Sequence, residues 1–156
     1  MQMASGDIKR VVAIRLAPGE GVLEGLQAAC VREKIHNGVV LSGIGSLNGA
    51  TYLNPVPIAE KKAGYGYGKA IVLPGPIELV GMSGVICQGE EEEILLHIHC
   101  SLSDQYGNGH GGHLIEGNTV LLTVEIVVGE LGDVLMWRRY DEDLGIYILD
   151  PVERQV

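Results

Sequence analysis

The chain has 156 residues, 46% hydrophobic and 20% charged, with 20 acids against 11 bases for a net charge of -9. That balance fits one globular domain over residues 1–156 and excludes a disordered or fibrous chain. The acidic field repels phosphate backbones, the bases form only scattered pairs, and a single Trp with no Phe gives little for base stacking, so direct nucleic-acid binding is not expected.

A short polar lead runs into Val11-Val12-Ala13-Ile14, too brief for a signal segment or a membrane span, and predicts a soluble, cytoplasmic protein. Residues 8–16 predict a strand stopped by Pro18-Gly19. Residues 20–35 carry Val22, Leu23, Leu26, Ala29 and Cys30 at helical spacing, with Asn37-Gly38 as the stop. Further strands are expected at 39–44, 49–53, 77–86, 94–102, 119–128, 134–139 and 146–149, and 55–75 predicts a long loop or irregular hairpin. Most connections are too short for a crossover helix. The fold class expected is therefore α+β, a mainly antiparallel sheet with one helix at about residues 20–35. Cys30, Cys87 and Cys100 are odd in number and sit in apolar runs, which predicts reduced, buried thiols.

Several motifs are better explained structurally. Gly43-Ile44-Gly45-Ser46-Leu47-Asn48 opens like a dinucleotide fingerprint, but Asn48 replaces the third glycine and no helix follows, so a β-bulge or packing turn is expected. Gly64-Tyr65-Gly66-Tyr67-Gly68 lacks the lysine and hydroxyl of a phosphate loop and predicts a flexible loop. Glu90 to Glu93 predict a solvated turn, since four adjacent carboxylates cannot converge on one ion. Gly81-Met82-Ser83-Gly84-Val85 misses the last glycine of a nucleophile elbow.

Residues 96–103 differ. In a strand, His97, His99, Ser101 and Ser103 share one face, while Leu96, Ile98, Cys100 and Leu102 share the other. His-x-His thereby forms a two-ligand half-site. The glycine-dense stretch 104–113 is read as a loop folding back over that strand to bring a third imidazole. His113 is preferred to His110 because Gly111-Gly112 permits close approach and Leu114-Ile115 anchors that end. Three histidines leave a fourth position open. The same alternation also fits the solvated side of an antiparallel strand. Glu125 is a candidate to orient a histidine or act as a base, and a paired or exposed carboxylate is the plainer alternative.

Taken together, residues 38–46, 77–84, 96–104 and 111–114, with Val124-Glu125-Ile126 and Arg138-Arg139-Tyr140-Asp141 as closing segments, resemble the PPC domain family, the plant and prokaryote conserved domain. The resemblance implies a homotrimer and makes His97, His99 and His113 ligands of a metal, zinc the expected ion. In plants the domain accompanies AT-hook segments in nuclear DNA-binding proteins. Here no Arg-Gly-Arg-Pro hook occurs, and the plant Gly-Arg-Phe-Glu-Ile motif stands as Gly75-Pro76-Ile77-Glu78-Leu79. Three functions follow in order of preference: a metal-binding domain for recognition or assembly, with a protein partner or small ligand at the metal; a DNA-associated or transcription-associated protein acting through partners; and a metal-dependent hydrolase-like enzyme.

Overall fold

The computed structural model describes residues 1–154. The chain begins with β1 (Ile8–Leu16) and α1 (Val22–Glu33), followed by β2 (Gly38–Leu53), β3 (Pro55–Pro57) and β4 (Tyr65–Tyr67). Then come β5 (Ile71–Gln88), β6 (Ile94–Asp104), β7 (Gly109–Leu114), β8 (Val120–Leu131), β9 (Val134–Asp141) and β10 (Ile146–Glu153). The fold is thus mainly β with one helix among the described residues. Among the described residues no helix is long and apolar enough to cross a membrane.

The helix forms because Val22, Leu26 and Cys30 recur every fourth residue and are buried together. Glu24 in the first turn and Arg32 in the last suit the helix dipole. Lys34 in the left-handed conformation ends it, its N–H reaching the carbonyls of Cys30 and Val31, so the stop falls before Asn37-Gly38.

Two strands run longer than their sequence suggests. The segments expected at 39–44 and 49–53 are one strand of 16 residues, bent by register shifts rather than broken at its glycines. Gly45, at φ +151°, is where β2 passes β8; a Cβ there would stand 2.2 Å from the Thr123 carbonyl oxygen. That is the bulge expected from the rejected dinucleotide motif. β5 pairs with β2 from Gly38↔Ile86 to Tyr52↔Ile71, so the stretch 71–75 is strand and the loop is shorter. Within it, β3 and β4 form a small hairpin, and the Gly64-to-Gly68 segment is therefore ordered as a strand and its flanks, not a flexible loop.

The sheet order is β1-β8-β2-β7-β6-β5-β9-β10, with β2 also pairing β5. β2, β5, β6 and β7 consequently close on themselves, the ring completed where Tyr52 and Leu53 pair Leu114 and His113. The core lies against α1 and includes Leu47, Leu79, Ile98, Leu102 and Val124; a smaller cluster of Cys87, Val134 and Met136 sits beneath β9. The three cysteines are buried and unbridged. Burial pushes the Cys30 thiol up to about 11, and Cys87 and Cys100 are raised by the same cause.

Candidate metal centre

β6 divides its side chains as its alternation requires: Ile98, Cys100 and Leu102 are buried, while His97, His99 and Ser101 face outward. The segment read as a loop over 104–113 is a tight turn followed by strand β7. Asp104 builds the turn, accepting hydrogen bonds from Tyr106 N (2.9 Å), Asn108 N (2.9 Å) and Asn108 Nδ2 (2.8 Å). β7 then pairs β6 in a register that sets His113 directly opposite His99. The glycine pair makes this possible. A Cβ on Gly111 would meet the Cys100 carbonyl oxygen at 2.4 Å, and one on Gly112 would meet Asn54 Oδ1 at 2.3 Å and the Leu53 carbonyl oxygen at 2.6 Å.

The three histidines therefore converge. Their ring centroids are 5.1 to 5.4 Å apart, and one candidate ligand atom from each lies within 4.8 Å of the others. His97 Nε2 and His99 Nε2 are 3.2 Å apart; two nitrogens on one tetrahedral zinc would be about 3.3–3.4 Å apart. Among the described residues His113 Nδ1 is buried without a hydrogen-bond partner, an orphan that an ion would satisfy. These residues fit a zinc-type ion. His110 lies on the opposite face of β7 from His113, 3.4 Å from Asp104. Glu125 is exposed on β8 and separated from β6 by β2 and β5, about 14 Å at ordinary strand spacing, so it cannot orient these imidazoles.

Two neighbours were not legible as part of the cluster. Tyr67 of β4 stacks on His113 with centroids 4.7 Å apart and planes at 29°. Arg138 of β9 places Nη1 3.3 Å from His97 Nδ1. A signal for Arg138 does exist: it continues the inward alternation of Val134 and Met136, an unusual place for a guanidinium. Electrostatics act on the same groups. Burial, then the Arg138 charge, then His113 and His99 hold the His97 imidazole down to about 4. His113 is also lowered, by burial first and then by His99 and Arg138. The His97 ring thus stays neutral in mildly acidic solution and keeps a lone pair for a ligand, and His113 is shifted in the same direction. A groove of about 490 Å³ runs up to His99, lined by Ser42, Ile44, Val80, Ser83 and Ser101 among others.

Residues 3–132 match the model of the Plants and Prokaryotes Conserved (PCC) domain. A plant- and prokaryote-conserved (PPC) protein from Pyrococcus horikoshii is 28% identical, with a TM-score of 0.77 over 95% of this chain and 97% of its own. A metal-containing protein from Archaeoglobus fulgidus has a TM-score of 0.79 over 95% of this chain and 98% of its own; at 24% identity it shows the fold alone. So does a protein from Bacteroides thetaiotaomicron, provisionally called DNA-binding, at 23% identity and TM-score 0.78 over 92% of this chain and 94% of its own. The bifunctional protein GlmU of Synechococcus sp. is 29% identical over 136 residues, 87% of this chain but 20% of that protein. The chain thus spans about a fifth of the curated relatives it matches.

Proposed function

This chain belongs to the Plants and Prokaryotes Conserved domain family, and on that premise we propose that it is a metal-binding recognition module whose His97, His99 and His113 hold one divalent ion, zinc. The convergence of three imidazoles, one with a buried nitrogen lacking any partner, is the observation that carries this proposal. A structural neighbour of the same fold is metal-containing, which is fold-level analogy. When bound, the ion would act as a Lewis acid at the position the histidines leave open. The chain's own residues do the rest. Ser42, Ser83 and Ser101 offer hydroxyls along the groove to a polar ligand, and Ile44 and Val80 offer apolar contact.

Recognition stands ahead of the other two functions for physical reasons. The net charge of -9 opposes direct contact with DNA, and the DNA-binding name of one neighbour is fold-level analogy. Among the described residues no carboxylate hydrogen-bonds to the three imidazoles, so a hydrolase would lack a base in place. We take residues 1–156 as one domain acting in the cytoplasm as a homotrimer, with apolar residues such as Val72 (68% exposed) and Leu122 (70% exposed) available for contact between copies. Light scattering should give a mass near three chains, and a monodisperse monomer would refute the assembly.

Metal analysis of untagged protein purified without chelator tests the centre itself. The expected content is one divalent ion per chain, lost in His97→Ala and in His99→Ala, weakened in His113→Ala and unchanged in His36→Ala. Content near one per chain in both of the first two variants would refute the site.

A further inference from the structure

The partner of His97 has the wrong polarity for a metal ligand. Ligating histidines almost always donate their second ring N–H to a carboxylate, a carbonyl or water. Here a guanidinium stands at that position, with Arg138 Nη1 3.3 Å from His97 Nδ1. Arginine has five N–H donors and no acceptor, so Nδ1 must accept and the ring proton must sit on Nε2. That Nε2–H then points at His99 Nε2, 3.2 Å away. The chain of donors is self-consistent, but it uses up His97. An ion on Nε2 needs the lone pair there, which moves the proton to Nδ1 and sets it head-on against the Arg138 N–H. An ion on Nδ1 would have to displace Arg138 outright.

Arg138 is also the half-buried arginine without a carboxylate among the described residues. Arg139, its neighbour in sequence, pairs with Asp150 at 3.1 Å. Arg10 pairs with Glu33 and Glu130, and Arg32 with Glu33. Arg15 and Arg154 make no ion pair among the described residues and are exposed, where water solvates them. A guanidinium partly removed from water and facing three imidazoles has no such compensation.

One kind of group resolves both conflicts. We propose that Arg138 and His97 frame an oxyanion subsite, in which a carboxylate or phosphate oxygen enters between the guanidinium and His97 Nδ1, accepts a hydrogen bond from each, and reinforces binding of the ion at the three histidines. The inference rests on the metal centre proposed above. The anion supplies the acceptor a ligating histidine requires and offsets the charge that the ion adds beside Arg138. The planar fork of arginine suits either oxyanion.

Cobalt(II) titration of the metal-free, untagged protein, followed by its visible absorption, tests this with acetate and inorganic phosphate as separate arms. In the wild-type chain the anion should tighten cobalt binding by about fivefold or more, and the larger response identifies carboxylate or phosphate as the preferred class. Arg138→Gln, whose amide oxygen can itself accept from His97, should bind cobalt tighter than wild type without anion and lose the response. Arg139→Gln should respond as wild type does. A wild-type affinity moved by neither anion, or an undiminished response in Arg138→Gln, overturns the subsite while leaving the metal centre standing. Failure to bind cobalt under any condition overturns the metal centre and the subsite together.

Discussion

Two polar regions of this molecule answer their charges in opposite ways. At the β1–β8 flank, Glu130 is largely buried yet fully engaged: Lys9 Nζ lies 3.1 Å away, Arg10 Nε also donates to it, and Arg10 Nη1 reaches Glu33 at 3.2 Å. Burial pushes the Glu130 carboxyl up, but hydrogen bonds from Arg10 and Lys9 and their charges outweigh it and hold it below the usual carboxylate range. Around His97, by contrast, three imidazoles and a guanidinium gather, and among the described residues no carboxylate joins them and one buried nitrogen has no partner. Saturated polar groups fasten strands, whereas unsaturated ones await something from outside.

The sharpest way to break this contrast is Gly112→Ala. The added methyl would press on Asn54, the Leu53 carbonyl and Tyr52, so a stability loss of about 1–3 kcal/mol in chemical denaturation is expected, with His113 displaced and metal content reduced. A stable variant with full metal content would show that β7 need not approach so closely. Glu130→Gln should cost less, about 1–2 kcal/mol because Arg10 and Lys9 are partly solvated, and should leave metal content intact. Loss of metal there would erase the distinction between the two regions.

A third test separates them by pH in metal-free protein. His97 is lowered from 6.5 to about 4, so as pH falls the unfolded chain takes up this proton before the folded one does. Its contribution is whole above pH 6.5 and is lost between there and about pH 4. Glu130, lowered from 4.5, contributes above its usual value and loses that contribution only on further acidification. His97→Gln should therefore flatten the stability curve in the upper window and spare the lower one; an unchanged slope there would contradict the assigned burial of His97.

The same contrast marks what could be read in advance. β1 was legible because a β-branched run ends at Pro18-Gly19, and the resemblance carried by residues 38–46, 77–84, 96–104, 111–114 and 124–126 falls within the family match over residues 3–132, while its closing segment 138–141 lies beyond it. The shared face of His97 and His99 followed from strand alternation alone. β7 was not legible, since Gly109 to Leu114 carries no apolar alternation and becomes a strand only by filling the gap between β6 and the end of β2. β2 and β5 were cut short for the reverse reason, their glycines and prolines being read as breaks when neighbouring strands hold them in register. Tyr67 reaches the cluster across a pairing that no local pattern encodes, and the alternation of β9 marks Arg138 as inward without saying which group it meets.

The β3–β4 hairpin has its own consequence. It pairs only within itself, outside the eight-stranded sheet, yet its Tyr67 ring lies flat on His113. All three histidines stand on the ring of strands, but only His113 has its ring covered by a small peripheral ribbon. Lifting Tyr67 would therefore uncover the His113 ring while leaving the strand pairings of β6 and β7 in place.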